Sequence, residues 1–227
     1  IKVTPDYKNI LMFIENLKLK LGLNDEYDIQ CGYEAGCLGY SLYNQLIAAG
    51  VKCVILAPTT MLTPQGVRIK TDMRDAYMIA QCLSYGGYHA VYIPTEDDDS
   101  VKEYLRMRND HKIALKKIKQ QINAFCIRHG FCYDGTKWTM THLKWLKKLE
   151  TRNAIYRETL NEYMASYEEQ EAKVERYDKR IEEMAKQEKY HVKVKKLECF
   201  LGIKTHTALS LIVETGDFER FAKGNQY

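Results

Sequence analysis

The sequence has few prolines, no long apolar run and no leader-like start. Only four of its 227 residues are proline, and its 13 glycines form no repeated tract, which excludes a collagen-like or disordered chain. No apolar run approaches the ~18 residues that a membrane-spanning helix needs. The start carries neither the basic nor the apolar stretch of a secretory signal. We therefore expect a cytoplasmic protein with no membrane partner and, since the first residue is not methionine, one that continues beyond this sequence.

The sequence also lacks paired cysteines and histidines. Its seven cysteines are an odd number at wide intervals, and no two of them have the spacing of a zinc knuckle or a redox motif. Most lie among apolar neighbours, where cysteine acts as a small buried hydrophobe. The six histidines form no pair at metal-ligand spacing. We expect reduced, structural thiols and no catalytic histidine.

Charge is distributed unequally along the chain. Residues 1–100 hold 8 Lys and Arg against 12 Asp and Glu, whereas residues 101–150 hold 12 against 4. The formal net charge of +4 therefore combines an acidic first part with one concentrated basic segment. Such asymmetry is typical of a protein that binds a polyanion. A solvated basic helix face is the alternative.

The first hundred residues alternate between helical and strand-like patterns. Apolar residues at helical spacing predict helices over residues 10–21, 38–49 and 72–85. Short apolar runs predict strands over residues 27–33, 51–57 and 90–93. Helices that alternate with strands predict an α/β sandwich with at least three parallel strands.

The rest of the chain reads as helical. Between residues 151 and 190, apolar and tyrosine side chains recur at alternating intervals of four and three, as in the seam of a coiled coil. At 1.5 Å per residue this helix spans roughly 60 Å, too long for burial in one small domain. We therefore expect a projecting arm that forms a dimer or tetramer; a helix that packs back on its own domain is the alternative. The seam comprises Tyr156, Leu160, Tyr163, Tyr167, Gln170, Val174, Tyr177, Ile181 and Met184.

Three carboxylates are candidates for a metal site. Asp72 and Asp75 begin a predicted helix, where i, i+3 spacing turns both side chains to one side. Glu34 follows a predicted strand and so lies at the carboxyl end of the sheet, where open α/β sheets place their sites. Three carboxylates there suit Mg²⁺ or Mn²⁺, which can activate a nucleophile in phosphodiester chemistry. A helix cap at Asp72 and a surface glutamate are the alternatives.

Several motifs follow one another in the order of a known family. The sequence resembles the DEDD-type insertion-sequence transposases, which have a RuvC-like domain of RNase H fold and include Piv-type invertases and bridge-RNA-guided recombinases. The most specific element is Lys-Thr-Asp-x-x-Asp-Ala, at residues 70–76. The match extends to residues 33–36, to the basic segment 106–130 and to residues 201–221, which are similar to the opening of the family's C-terminal Tnp domain.

The resemblance implies a transposase or site-specific DNA recombinase of an insertion sequence, at the nucleoid of a bacterial cytoplasm. It gives Glu34, Asp72 and Asp75 the roles of three of four acidic catalytic and metal-binding residues, with Mg²⁺ or Mn²⁺ as cofactor. The fourth aspartate and the family's nucleophilic serine have no counterpart here, and we expect both outside this chain. DNA and a structured noncoding guide RNA are the implied partners.

The same resemblance implies the domain organisation. We expect an α/β, RNase H-like (RuvC-like) domain over residues 1–133, lacking its first strand, then a helical coiled-coil arm over 134–192 and the beginning of the Tnp domain over 193–227. Leu201 and Lys204 depart from the family, since they replace the proline and the second glycine of its Pro-Gly-Ile-Gly hairpin. Lys204 then offers phosphate a charge rather than a close backbone contact.

Basic residues are the candidates for nucleic-acid binding. Lys and Arg along one helix neutralise phosphates without reading the sequence. Trp138 and Trp145, seven residues apart, are expected in the core, with stacking on unpaired bases as the alternative. The basic candidates are Lys70, Arg74, Arg106, Arg108, Lys112, Lys116, Lys119 and Lys204.

Two other functions fit the same residues. A non-catalytic nucleic-acid-binding or dimerising remnant of a transposase would keep the basic segment and the arm. A RuvC-like junction resolvase would share the RNase H fold but would not need the heptad arm or the segment after residue 193. An upstream aspartate-bearing strand and a downstream serine in the reading frame would favour the recombinase.

Overall fold

The protein folds into two compact units, Ile1–Ile93 and Pro94–Tyr227. The structure is a computed structural model that describes residues 3–22, 27–36, 39–61 and 71–224. The domain boundaries expected after residues 133 and 192 stay predictions. No helix in these described ranges is long and apolar enough to cross a membrane.

The first unit alternates three helices with two short strands in its described part. Asp6 begins the first helix by accepting a hydrogen bond from the Lys8 N–H at 2.7 Å. Gly86, with a φ of 67°, ends the third helix in a left-handed conformation that glycine adopts without strain. The elements are α1 (Tyr7–Leu21), β1 (Gln30–Glu34), α2 (Ser41–Ala48), β2 (Lys52–Leu56), a 3₁₀ turn (Pro58–Thr60) and α3 (Asp72–Tyr85).

Strands β1 and β2 are parallel neighbours. Their register runs from Gln30 opposite Lys52 to Glu34 opposite Leu56. The prediction of at least three parallel strands is wrong for the described residues, since residues 90–93 form only an isolated antiparallel bridge between Leu56 and Ala90. This segment is short and Pro94, which follows it, has no N–H to extend a ladder. The RNase H-like fold therefore stays a prediction.

Helix α3 packs closely on β1 at Gly32. A Cβ atom at Gly32 would lie 2.9 Å from Cδ1 of both Leu56 and Leu83. Beyond the helix, the Tyr88 hydroxyl accepts a hydrogen bond from Gln30 at the start of β1. Because the end of α3 lies near the start of β1, the helix runs opposite to the strand, and its first turn lies towards the carboxyl edge of the sheet.

The second unit is built from helices. Thr95 begins the first of them, with its hydroxyl accepting from the Asp98 N–H at 3.2 Å. The elements are α4 (Glu96–Arg128), α5 (Met140–Lys148), α6 (Ala154–Ala185), α7 (Glu188–Glu198), α8 (Thr205–Thr215) and a 3₁₀ turn (Phe218–Arg220).

Helices α4 and α6 lie antiparallel and build two apolar clusters. Near the start of α4, Val101 and Leu105 pack with Ile181 and Ala185 of α6 and with residues of α7 and α8. Near its end, α4 packs with α5 and with the first half of α6 around Leu160. Trp138 and Trp145 pack against this second cluster, so their interpretation as core residues is confirmed.

Most of the heptad seam is covered inside the chain, whereas Tyr156 at its start is exposed. Leu160, Tyr167, Val174 and Ile181 are all buried in the two clusters. The prediction of a projecting arm whose seam pairs with another subunit is wrong, because α4 offers a helix of nearly equal length in the same chain. A partner helix in the same chain is favoured over one in another subunit, since its docking costs no translational entropy. Assembly into a dimer or tetramer stays a prediction, without this seam to support it.

Asp98, near the start of α4, forms hydrogen bonds that join α4 to α7. This nearly buried carboxylate accepts hydrogen bonds from the Tyr190 hydroxyl at 2.6 Å, the Lys189 ammonium at 2.9 Å and the Thr95 hydroxyl at 2.8 Å. Burial alone raises the pKa of Asp98, but these donors outweigh it and the pKa lies below its ordinary value. Asp98 therefore remains ionised at neutral pH. Its role is structural, since it holds α7 against the start of α4.

Adding a methyl group at Gly32 tests the close packing of α3 on β1. We expect Gly32→Ala to lower the free energy of unfolding by about 1–3 kcal/mol, because the side chains of Leu83 and fully buried Leu56 must shift to make room. Urea denaturation followed by circular dichroism measures the change. Gly36→Ala is the matched control, since a Cβ there meets only the Glu34 carbonyl oxygen at 3.9 Å. Equal stability of the two variants would contradict the close packing.

Candidate acidic site and nucleic-acid interface

Glu34 is the last residue of β1. Its position is fixed by pairing with Leu56, and the ladder continues one step further where the Ala35 N–H donates to the Leu56 carbonyl at 2.9 Å. The side chain is half-buried. Glu34 thus lies at the carboxyl edge of the sheet, as the strand pattern predicted.

Asp72 and Asp75 lie in the first turn of α3. Thr71 begins the helix, and its hydroxyl accepts from the Arg74 N–H at 3.4 Å. Asp72 is exposed and Asp75 is half-buried. Both carboxylates lie at the positive end of the helix dipole, which favours negative charge there.

The direction of α3 brings these aspartates to the edge that carries Glu34. Asp75 lies eight residues before Leu83, about 12 Å along the helix. Glu34 lies two residues after Gly32, about 7 Å along the strand. Since Leu83 packs over Gly32, both aspartates lie beyond it in the direction of the carboxyl edge.

The three carboxylates do not form a ready metal site. Within residues 3–22, 27–36, 39–61 and 71–224, no group of three or more His, Cys, Asp or Glu side chains is arranged to bind a metal ion. We therefore derive no chemistry through Mg²⁺ or Mn²⁺, and the shared ion site stays a prediction. Of the basic candidates beside it, Arg74 is exposed in the same turn, whereas Lys70 lies outside the described residues.

Arg108 has a structural contact that the sequence analysis missed. Only 8% of it is exposed, and its guanidinium donates two hydrogen bonds to the Asp178 carboxylate, at 2.6 and 2.9 Å. The pair joins α4 to α6. A usable signal was present in the sequence, since Asp178 directly follows the seam residue Tyr177 and so flanks the interface. Burial does not favour a nucleic-acid contact for Arg108, which stays untested.

Arg106 is also engaged, though at the surface. It pairs with Glu103 at 2.7 Å and with Glu214 of α8 at 3.4 Å. Its buried neighbour Lys102 contacts the same Glu214 at 2.7 Å. Acidic residues therefore neutralise much of the positive charge in the first half of α4.

His206 lies near the Arg108–Asp178 pair. Its Nε2 atom is buried and has no hydrogen-bond partner in the described part of the chain. Burial, and then the Arg108 guanidinium, lower the pKa of His206, with Asp178 acting in the opposite direction. The imidazole is therefore neutral at pH 7 and adds no charge to this surface.

Lys112 and Lys116 remain as exposed cations further along α4. They line a surface groove of about 620 Å³, together with Asn109, Ile113, Leu115 and Lys119. No ion pair to either lysine occurs among the described residues. One turn apart on one helix, they present two ammonium groups to solvent on the same side.

Lys119 is half-buried over aromatic rings. Its ammonium lies 5.2 Å from the ring centre of Trp138 and 5.4 Å from that of Tyr167. Cation–π contacts of this kind contribute about 0.5–2 kcal/mol. Lys119 therefore stabilises the second cluster as well as bordering the groove.

Lys204 immediately precedes α8. Its side chain is exposed and makes no capping hydrogen bond to the helix. Two sets of charged residues thus emerge, an acidic sheet edge in the first unit and exposed lysines on α4 and before α8 in the second. The second set can neutralise phosphates without reading bases.

No family model matches this chain. It is similar to the transposase for insertion sequence element IS1533 of Leptospira borgpetersenii, with 37% identity over 219 residues, which are 95% of this chain and 62% of that protein. It is also similar to a Sinorhizobium fredii protein named "Putative transposase y4qE", with 30% identity over 195 residues, 86% of this chain and 47% of that protein. The chain thus spans less than two thirds of the length of these relatives. Both relatives carry transposase names, and one of them is named for an insertion sequence.

Replacing Arg108 separates its structural contact from nucleic-acid binding. We expect Arg108→Met to lower the free energy of unfolding by about 1–3 kcal/mol, because it removes two charge-assisted hydrogen bonds across the α4–α6 interface. Arg106→Met removes the same charge from exposed pairs and should cost less than about 1 kcal/mol. Urea denaturation measures both. If Arg108→Met has unchanged stability but weaker affinity for DNA, the structural role is refuted and Arg108 is a nucleic-acid contact.

Proposed function

We propose that this chain is part of an insertion-sequence transposase that acts on DNA. The observation that carries the proposal is the similarity to two transposases over 95% and 86% of the chain. A two-unit architecture supports it, since one unit carries an acidic sheet edge and the other carries exposed lysines. Strand chemistry and backbone binding would then be separate tasks of the two units.

The nucleic-acid surface in this proposal is centred on Lys112 and Lys116. Both are exposed and lie along one side of a long helix. Lysines in this arrangement bind phosphates and release counterions, which gives affinity that depends on salt and not on base sequence. Lys204 adds a further cation next to the start of α8.

The catalytic part of the proposal rests on the family resemblance. In a DEDD-type, RuvC-like domain of RNase H fold, Glu34, Asp72 and Asp75 would be the acidic residues. Their common sheet edge supports this assignment. Mg²⁺ or Mn²⁺ is the ion that such oxygen ligands prefer. Since the carboxylates are not arranged as ligands, the proposal gives them a place at the site and no metal-dependent step.

A structured noncoding guide RNA is the second proposed partner. The exposed lysines contact phosphate charge, which RNA and DNA share, so the same surface suits either backbone. In this proposal base pairing of the RNA, not the protein, would select the DNA sequence. A competition experiment with RNA and DNA would show which of the two binds the Lys112–Lys116 surface more tightly.

One observation favours a second function, a non-catalytic nucleic-acid-binding module. The described residues contain exposed lysines but no group of metal-ligating side chains. A chain of this kind would bind DNA or RNA without breaking strands. Strand breakage by the full-length protein decides between the two functions.

Neutralising two lysines tests the proposed surface. We expect Lys112→Gln/Lys116→Gln to reduce the slope of log affinity against log salt by about 1.4–1.8, because each phosphate contact contributes roughly 0.7–0.9. Fluorescence anisotropy of labelled DNA and RNA over a range of NaCl concentrations measures it. Lys179→Gln/Lys186→Gln, which removes two exposed lysines from α6 and its end, is the matched control. An unchanged slope in the α4 variant would exclude this helix as the contact.

Neutralising the acidic edge tests the proposed catalysis. In the full-length protein, Glu34→Gln and Asp75→Asn should each abolish excision of the element from a donor plasmid, while DNA affinity stays at the wild-type level. Glu15→Gln, at an exposed position of α1, is the control that keeps excision. Gel analysis of the plasmid products measures the loss. Wild-type excision by both variants would refute the assignment, and no excision by the wild type would favour the binding module.

A further inference from the structure

The turn between α7 and α8 presents two large apolar side chains to solvent. Leu201 is fully exposed, with a relative accessibility of 106%, and its neighbour Phe200 is 63% exposed. A single exposed apolar residue needs no explanation. Two adjacent ones at the tip of a turn form a small apolar projection, which we call the 200–201 tip, and the proposed lysine surface on α4 does not account for it.

The 200–201 tip is held by a fixed turn. The Phe200 N–H donates to the Leu197 carbonyl and the Ile203 N–H donates to the Phe200 carbonyl, both at 3.1 Å. Gly202 has a φ of 89°, which a residue with a side chain rarely adopts. On the inner side of the turn, Ile203 packs against the apolar cluster that joins α4, α6, α7 and α8. Half-buried Ile203 therefore anchors the turn on its inner side, while Phe200 and Leu201 lie on the outer side.

A side-chain hydrogen bond closes the base of the turn. The Thr205 hydroxyl, in the first turn of α8, donates to the Glu198 carboxylate at the end of α7, at 2.6 Å. Glu198 also pairs with Lys195 at 2.8 Å. Both helices are thus fixed at the turn, so the apolar projection is ordered before any partner binds. Pre-ordering of this kind lowers the entropy cost of binding.

Lysines flank the 200–201 tip along the chain. Residues 193–204 hold four lysines and one glutamate, a net charge of +3. Lys193, Lys196 and Lys204 are exposed, and none of them has an ion pair within the described residues.

We infer that the 200–201 tip stacks on the bases of a nucleic acid while the flanking lysines contact its phosphates. A nucleic acid offers anionic phosphates and apolar base faces within a few ångströms of each other, which matches this arrangement. A second copy of the chain would bring two positive turns together, which opposes contact. An anionic membrane needs a larger apolar face than two side chains provide. The inference rests on the proposed DNA-transposing function and adds a contact separate from α4.

The chemistry of stacking determines which nucleic acid fits. Bases in an intact duplex are covered by their neighbours, whereas single strands and distorted duplexes expose them. Aromatic and apolar side chains that meet such bases contribute affinity that does not depend on salt, because no charge is neutralised. The 200–201 tip should therefore favour single-stranded or unstacked sites, and its removal should not change a salt slope.

Replacing both apolar side chains tests the inference in the intact chain. The probe is a labelled mixed-sequence single strand of about 30 nucleotides, longer than one binding module covers, and its duplex. We expect Phe200→Ser/Leu201→Ser to bind the single strand about 5- to 150-fold more weakly at every salt concentration, with the log–log slope unchanged. Val192→Ser, at an apolar position of α7 that is 59% exposed, should bind like the wild type. Fluorescence anisotropy measures each variant.

A second variant reports the contact directly. Phe200→Trp keeps an aromatic face and should retain affinity, and its emission should fall when the single strand saturates the protein. Affinity of the double-serine variant equal to that of Val192→Ser would overturn the inference, as would unchanged emission of Phe200→Trp. If the double-serine variant loses binding to phosphatidylserine vesicles but keeps binding to the single strand, the inference is overturned in favour of a lipid surface.

The test also separates this inference from the proposed function. A weaker double-serine variant supports the 200–201 tip even if the Lys112→Gln/Lys116→Gln slope is unchanged, in which case only the α4 surface fails. The reverse result overturns the tip and leaves the α4 surface standing. If the wild type binds neither probe, the inference is overturned, and the excision assay decides separately whether the protein is a transposase.

Discussion

The antiparallel pairing of α4 with α6 is the contact on which the second unit depends. Helix α5 packs on one end of this pair, and α7 and α8 pack on the other. Between the two apolar ends lies a polar middle. Arg108 there binds Asp178, and the Gln170 amide donates to the His111 carbonyl at 2.9 Å. Polar pairs of this kind fix the register of two helices, because any shift would leave buried polar groups unpaired.

This pairing also sorts the cations of α4 by what they contact. The positive charges that meet α6 or α8, among them Lys102 and Arg108, are buried or paired with carboxylates. Lys112 and Lys116 are exposed. The basic segment of the sequence is thus divided in the fold into buried or paired cations and exposed ones, and the exposed ones can contribute to counterion release at a polyanion.

Local patterns predicted the parts of the fold that local forces determine. The helix ends at Gly22 and Gly86 follow from the glycine conformation, and the edge position of Glu34 follows from the length of one strand. The seam was predicted correctly as a buried face. The helix that covers the seam was not predicted, because periodicity shows which side of a helix is apolar but not which helix packs against that side.

The failures have the same origin in contacts between distant segments. Residues 90–93 have the composition of a strand, yet a short run before Pro94 makes one antiparallel bridge. Arg108 has the appearance of a phosphate ligand until Asp178, 70 residues later, is placed beside it. The exposure of Phe200 and Leu201 could not be predicted either, since a turn shows its apolar side chains to solvent only if Ile203 takes the inner position.

The polar middle of the α4–α6 pair has a consequence for how the second unit opens. Apolar clusters that are separated by hydrogen-bonded residues share few contacts, so each can lose its packing while the other keeps it. We therefore expect the end with α5 and the end with α7 and α8 to open separately, although two continuous helices join them. Transient opening around Leu160 would leave the turn at Gly202, 42 residues further along the chain, ordered and packed on the other cluster.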